Sequence, residues 1–179
     1  IGRTYGSASS DIGFALADRL RINYYDAEVI KESESIQEAI ENERRKNFIG
    51  RIIYDFGKYH GLSKEDAQFF NHSKLILEKA RTEDFVIMGR CADKILTNNR
   101  IPHVNIFITA PFDLRAKRIA QIKHISLKQA GKFLKKIDNA SKRHYNRYTL
   151  QKWGNIQYYD LCINSACFGV EGSVDLIIR

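Results

Sequence analysis

A chain of 179 residues, 44% hydrophobic and 28% charged, has a globular composition and enough length for one core, so a single domain over 1–179 is expected. Its 29 lysines and arginines against 21 acids give a formal charge of +8, which favours anionic partners without naming one. No apolar run approaches the roughly 18 residues of a membrane span, no signal peptide is recognisable, and Cys91, Cys162 and Cys167 lack paired spacing, which disfavours membrane, disulfide-framework and zinc proteins and leaves a cytoplasmic, reduced one.

The opening, Ile1 to Gly13, is a loop of small residues leading into an amphipathic run at Ile12, Ala15, Leu16 and Leu20. Such a loop lets backbone N–H groups converge on an anion, and the helix after it adds unpaired donors and the positive end of its dipole. The Walker A pattern is absent, because no lysine follows Gly6-Ser7-Ala8-Ser9-Ser10. The alternative reading is an ordinary loop whose helix is capped by Ser9 or Ser10. Residues 22–26 then predict a strand ending in Asp26, and residues 36–60 predict a helix through Ile49, Ile52, Ile53, Phe56 and His60. The spacing of Ile49, Ile52, Ile53 and Phe56 suits either the core or a homodimer face.

After the break at residues 62–65 a further helix runs to about Arg81. Residues 84–88 and 103–108 are short apolar runs, read as buried strands followed by Gly89-Arg90 and by Ala110-Pro111. Residues 112–122 predict a basic helix. Ser126 opens another, with Gln129 at capping-box spacing and Ala130, Phe133, Leu134, Ile137 and Tyr145 on its apolar face. Residues 159–164 predict the last strand, with Asp160 inside it as a structural partner of a nearby cation, and Val174, Ile177 and Ile178 end the chain as a helix. His60, His72, His103, His124 and His144 show no metal-ligand spacing.

Strands alternating with helices, and turns rich in small or charged residues after the strands, predict a three-layer, doubly wound, mostly parallel α/β fold. In such a sheet the Gly6 loop, Asp26, Gly89-Arg90 and the Ala110-Pro111 turn meet at one crevice. Small loop residues, acids and arginines converging there are what phosphoryl transfer needs, since that chemistry rests on positioning and charge neutralisation.

The stretches Gly2 to Ser7, Tyr24-Tyr25-Asp26, Val86 to Asp93, Ala110-Pro111 with Arg115 and Arg118, Asp138, Lys152-Trp153-Gly154 and Tyr159 to Asn164 resemble the bacterial cytidylate kinase-like family of P-loop nucleoside monophosphate kinases. The resemblance extends over nearly the whole chain. It implies an ATP- and Mg²⁺-dependent kinase of the P-loop fold, with a helical lid over about residues 115–150. It implies that Gly6, Ser7, Ala8, Ser9, Ser10 and Asp11 face the donor phosphates and that Asp26, Arg90 and Asp93 form the acceptor side. Arg115 and Arg118, which begin the lid-side helix, and Arg143 in the lid with Lys142 and Arg147, are the implied catalytic cations. No protein-bound metal is implied.

Against the family pattern Gly-Ser-Gly-Gly-Arg this chain has Gly6-Ser7-Ala8-Ser9-Ser10, so the loop carries no cation. Cys91 stands where true cytidylate kinases have the acid of Gly-Arg-Asp, and Ser141 stands where relatives carry an arginine. Relatives also carry a longer insertion after the second strand. Either this chain is compact there or a mobile loop near Ser33 to Ile36 is not represented. Three readings follow: a kinase acting on a CMP-like nucleoside monophosphate or related small anion, a nucleotide-binding protein without turnover, and a nucleic-acid-binding module. The last rests on charge alone and has no recognisable motif, so nucleic acid is disfavoured as a partner. Trp153, Tyr145, Tyr148, Tyr158 and Tyr159 are read mostly as packing beneath the lid.

Overall fold

The computed structural model describes residues 1–26 and 63–179. The elements in chain order are β1 (Gly2–Arg3), α1 (Ser9–Leu20), β2 (Asn23–Tyr25), α2 (Lys64–Ala80), β3 (Phe85–Ile87), α3 (Ala92–Asn98), β4 (Ile106–Thr109), α4 (Phe112–Lys123), α5 (Leu127–Thr149), a 3₁₀ turn (Ile156–Tyr158), β5 (Leu161–Asn164) and α6 (Ser165–Ile178). The predicted helix over 36–60, the apolar positions Ile49, Ile52, Ile53 and Phe56, and the loop near Ser33 to Ile36 lie outside the described residues.

Every strand pairing among the described residues is parallel. One ladder runs β1-β4-β5 and the other pairs β2 with β3. Ile1 joins them, because its nitrogen donates to the Ile87 carbonyl at 2.7 Å and its own carbonyl accepts from Gly89 N at 2.9 Å. The spatial order is therefore β2-β3-β1-β4-β5, with the strands' carboxyl ends on one edge.

Successive side chains of a strand point to opposite faces, and the apolar runs use both. Val86, Ile106, Ile108 and Ile163 meet Ile12, Leu16 and Ala17 of α1 and Val174 of α6 on one side. Ile87, one residue after Val86, packs with Ile76 of α2 and with Ala92, Ile95 and Leu96 of α3 on the other. Helices on both faces explain why these strands are continuously apolar, and the chain has a three-layer α/β fold. Ile12, Ile108 and Val174 are fully buried, each contributing about 1.5–3 kcal/mol by removal from water. Among the described residues no helix is long and apolar enough to cross a membrane.

The capping box at the start of α5 is formed, with Gln129 N donating to Ser126 Oγ at 3.3 Å and Ser126 N donating to Gln129 Oε1 at 2.9 Å. The N-terminal half of α5 packs on α4 through Ala130, Leu134, Ala116 and Ile119. Its C-terminal end reaches α2, where the Tyr148 ring stacks on Phe69 at 4.2 Å and Arg147 and Tyr148 both donate to Asp66.

Two expectations are corrected. Neither Ser9 nor Ser10 caps α1: the helix begins at Ser9, and Ala8 precedes it in a left-handed conformation with no side-chain cap. Asp160 lies just before β5, and its partner is not a cation but the Asn105 backbone N–H, which donates to Oδ2 at 2.7 Å.

Candidate phosphate loop and acceptor cavity

The loop between β1 and α1 is shaped by hydroxyl groups. The buried Ser7 hydroxyl lies 2.8 Å from Thr4 O and 3.3 Å from Ile108 O, and the Ser165 hydroxyl, from the start of α6, lies 2.7 Å from Ser7 O. Gly6 has φ +80°, and a Cβ there would stand 3.0 Å from Ile119 Cγ1, so conformation and space both call for glycine. Ala8 holds φ +57° without that freedom, at a cost of about 1 kcal/mol.

A buried ion pair braces the loop from outside. Tyr5 N donates to Asp138 Oδ1 at 3.0 Å, and Arg115 Nη1 donates to Asp138 Oδ2 at 2.7 Å and to Tyr5 O at 3.0 Å. Arg115 Nε donates to Ala110 O at 3.0 Å. The Arg115 side chain is 8% exposed, so this guanidinium is committed to protein acceptors rather than to the crevice. Arg118 pairs with Asp11 in the first turn of α1, both largely in solvent.

Beside the loop, at the carboxyl ends of β1 and β3, lies a cavity of about 400 Å³. Its floor is the turn after β3, where Gly89, Arg90 and Cys91 have φ of +72°, +59° and +55°. Two non-glycine residues in succession in that region cost about 1–2 kcal/mol each, and strain of this kind collects where a backbone is held for a ligand. Arg3 and Arg90 line one side, and Asp93, His144, Tyr145, Trp153 and Tyr159 line the rest. The Arg3 guanidinium passes close over Gly89, so a Cβ there would have to displace it. Burial lowers the Arg3 pKa, and the like charge of Arg90 adds to the effect. A guanidinium does not lose its proton in a protein, so Arg3 and Arg90 both carry charge in a cavity that also holds the Asp93 carboxyl group.

The opposite wall sets Asp93 among protonated tyrosines. Tyr145 Oη donates to Asp93 Oδ2, and its pKa is raised by burial first and then by Asp93. Burial and Asp93 also push Tyr159 up to about 12 and the Cys91 thiol up to about 12. All three keep their protons at neutral pH, so the tyrosines remain hydrogen-bond donors and Cys91 is no thiolate. Trp153 and Tyr159 are fixed from below by Phe107, with ring centroids 5.7 and 4.8 Å away. Burial lowers the pKa of His144, with Arg90 adding to it, so the ring is neutral at pH 7.

The structure thus brings Arg90 and Asp93 into one cavity, next to the loop formed by Gly6, Ser7, Ala8, Ser9 and Ser10. Asp26 follows β2, close enough to Arg3 to raise its pKa. Arg115, Arg118 and Arg143 do not line the cavity: Arg115 braces the loop, Arg118 pairs with Asp11, and Arg143 is exposed on α5. The sequence marks neither Arg3 nor His144 as ligand-facing, and it gives Tyr145 as packing beneath the lid, whereas all three line the cavity. The signal for Arg3 was its place at the carboxyl end of a strand, where open α/β sheets bind ligands. For His144 and Tyr145 it was the helical spacing from Ile137 and Ser141, which also line the cavity. Among the described residues no three His, Cys, Asp or Glu side chains group as a metal site.

Residues 1–166 match the model of the cytidylate kinase-like family, and the chain belongs to that family. It is 26% identical over 174 residues to the cytidylate kinase of Sulfolobus acidocaldarius, covering 97% of this chain and 87% of that one. It is 27% identical over 130 residues to the cytidylate kinase of Methanocaldococcus jannaschii, covering 72% of each. These relatives are archaeal, so they do not carry the bacterial part of the expectation. Among solved structures, an uncharacterized protein from Eubacterium ventriosum superposes with a TM-score of 0.77 at 27% identity, over 99% of this chain and 92% of that one. Shikimate kinase from Bacteroides thetaiotaomicron superposes with a TM-score of 0.52 at 15% identity, over 98% of this chain and 92% of that one, a likeness of fold alone. Family and fold together support a phosphotransferase of the nucleotide kinase type.

Proposed function

We propose that this chain transfers the γ-phosphoryl group of Mg·ATP to a CMP-like nucleoside monophosphate, or a related small phosphate, held in the cavity over Arg90. The observation that carries the reading is the placement of that cavity, with Arg90 on a strained turn, directly beside a loop whose backbone is fixed by Ser7 and Ser165. In this reading the residues from Gly6 to Asp11 cradle the donor phosphates and Arg90 binds the acceptor phosphate. Asp26 lies at the acceptor side, and Asp93 holds Tyr145 and with it the helix that covers the site. Arg118 and Arg143 are the mobile cations of the lid, residues 115–150, and Arg115 positions the loop. Magnesium arrives with ATP as part of the substrate. Excluding water and orienting the two phosphates is the work such a site does. The same reading is of a cytoplasmic enzyme whose partners are small nucleotides, not nucleic acid.

One observation favours a second reading, nucleotide binding without turnover: the loop offers Ala8, Ser9 and Ser10 and no cation. Losing one charge-stabilising donor can lower a rate by about 10²-fold or more. The deciding experiment combines thermal unfolding with an ADP-release assay, using Mg·ATP with CMP, dCMP, UMP and AMP in turn. ADP release with one acceptor establishes the kinase and names its substrate. A raised unfolding temperature without release establishes the second reading, and neither effect refutes both.

A further inference from the structure

A second cavity, of about 530 Å³, opens between the start of α4 and the N-terminal half of α5. Its floor is apolar, with Phe112 and Leu127 36% and 53% exposed. Lys128, Lys132 and Lys135 line it at i, i+4 and i+7 of α5, and Lys117 lines it from α4. At about 3.6 residues per turn these three lie roughly half a turn of α5 away from Ile137, Ser141 and His144, so the groove faces away from the acceptor cavity. The acid on its rim is Asp113, and none of the four ammonium groups forms an ion pair with it or with any other carboxylate among the described residues. Gly131 lies in the middle of this face of α5, where glycine weakens a helix relative to alanine. A Cβ there would meet Phe112 Cε1 and Cζ at 3.7 Å, an ordinary contact. The fold has room for alanine at this position, and what glycine adds is depth to the groove.

Four lysines against one aspartate, over an exposed apolar floor, match carboxylates arranged around apolar side chains. Nucleic acid matches the groove less well. Phosphates are held best by the bidentate guanidinium fork, and no arginine among the described residues lines the groove. Bases stack on an open aromatic face, whereas Arg115 and Lys135 stand over the Phe112 ring, 5.5 and 5.8 Å from its centroid. We propose that the groove between α4 and α5 is a docking surface for an acidic, amphipathic segment of a partner protein, whose apolar side chains seat on Phe112 and Leu127 and whose carboxylates meet the four lysines. A groove reads such a segment through apolar anchors one helical turn apart. Burial of the anchors supplies affinity, and the lysines set orientation and encounter rate. The surface is independent of the kinase reading and holds whichever acceptor the first cavity takes.

The test is fluorescence anisotropy of the whole chain with a labelled peptide in which glutamates flank two leucines at i and i+4. The same peptide with serines for the leucines, and a single-stranded RNA of equal charge, are the comparisons. The leucine peptide should bind, weaken as salt rises, and stay bound in saturating Mg·ATP and CMP. The serine peptide and the RNA should bind about tenfold more weakly or worse. The double variant Lys128→Gln, Lys132→Gln should weaken the leucine peptide about tenfold. Gly131→Gln keeps every charge and fills the groove, and should weaken it as much while unfolding no earlier than wild type. Absence of wild-type binding overturns the proposal. So does displacement by nucleotide, which would place the peptide in the crevice, and so does full affinity in either variant. RNA that binds as tightly as the leucine peptide overturns it in favour of a nucleic-acid surface, and a serine peptide that does so overturns it in favour of a solvated charged face. If Gly131→Gln unfolds earlier than wild type, Leu127→Ser, at an exposed position, replaces it and is judged by the same criterion.

Discussion

Replacing Arg115 with alanine separates a bracing role from a catalytic one. The guanidinium makes three hydrogen bonds, to Ala110 O, Tyr5 O and Asp138 Oδ2, and is 8% exposed. Hydrogen bonds involving a charged group contribute about 1.5–3 kcal/mol each, and breaking a buried pair by removing one member costs about 3–5 kcal/mol, since the other charge loses its partner. The two figures overlap when relaxation around Asp138, 19% exposed, lets water reach the carboxylate. We expect Arg115→Ala to lose about 3–5 kcal/mol in urea denaturation, and to unfold roughly 6–20 °C lower at about 2–4 °C per kcal/mol for a domain of this size. The double variant Arg115→Met, Asp138→Leu should recover part of the loss, because no orphaned charge remains. Denaturation midpoints with ADP release at saturating Mg·ATP give the readout. A stability within about 1 kcal/mol of wild type, with turnover abolished, would refute the bracing role and return Arg115 to the phosphates.

Ala8→Gly should stabilise the chain by about 1 kcal/mol, because residue 8 sits at φ +57°, where glycine carries no Cβ penalty; unchanged or lower stability in denaturant would show that the loop is not held in this form. His144 has its pKa lowered by burial and by Arg90, so the unfolded chain takes up its proton first as pH falls. Its contribution to stability is therefore complete above about pH 6.5 and is lost as pH drops from there toward the folded-state value. An anion beside Arg90 should raise that value. Titration of the ring C2 proton by NMR, with and without inorganic phosphate, checks both signs, and an ordinary value in the free protein would contradict the geometry.

The central strands were legible because residues 85–87 and 106–109 are buried on both faces and so read as unbroken apolar runs. The start of α5 was legible because a capping box lies within four consecutive residues. What was not legible is what depends on contacts distant in sequence. Among the cations of α4 nothing local distinguishes Arg115, whose partner Asp138 is 23 positions away, from its solvated neighbours. Serine before a helix predicts a cap, but the turn out of β1 forces Ala8 to fill that position and buries Ser9 instead. β1 pairs through two residues, too short for any periodicity, so nothing local marks Arg3. Arg90 and Asp93 were legible because they follow a strong strand.

The long helix α5 has a mechanical consequence. Asp138, Tyr145 and Tyr148 lie seven and three positions apart, along one face of a rod of 23 residues, about 35 Å long at 1.5 Å per residue. Through them it grips the loop at Tyr5, the cavity at Asp93 and α2 at Asp66. A rod held at three points resists displacement at any one of them alone. Its ends are the capped turn at Ser126 and the left-handed Leu150. The loop, the cavity wall and α2 are thereby tied to one element, α5.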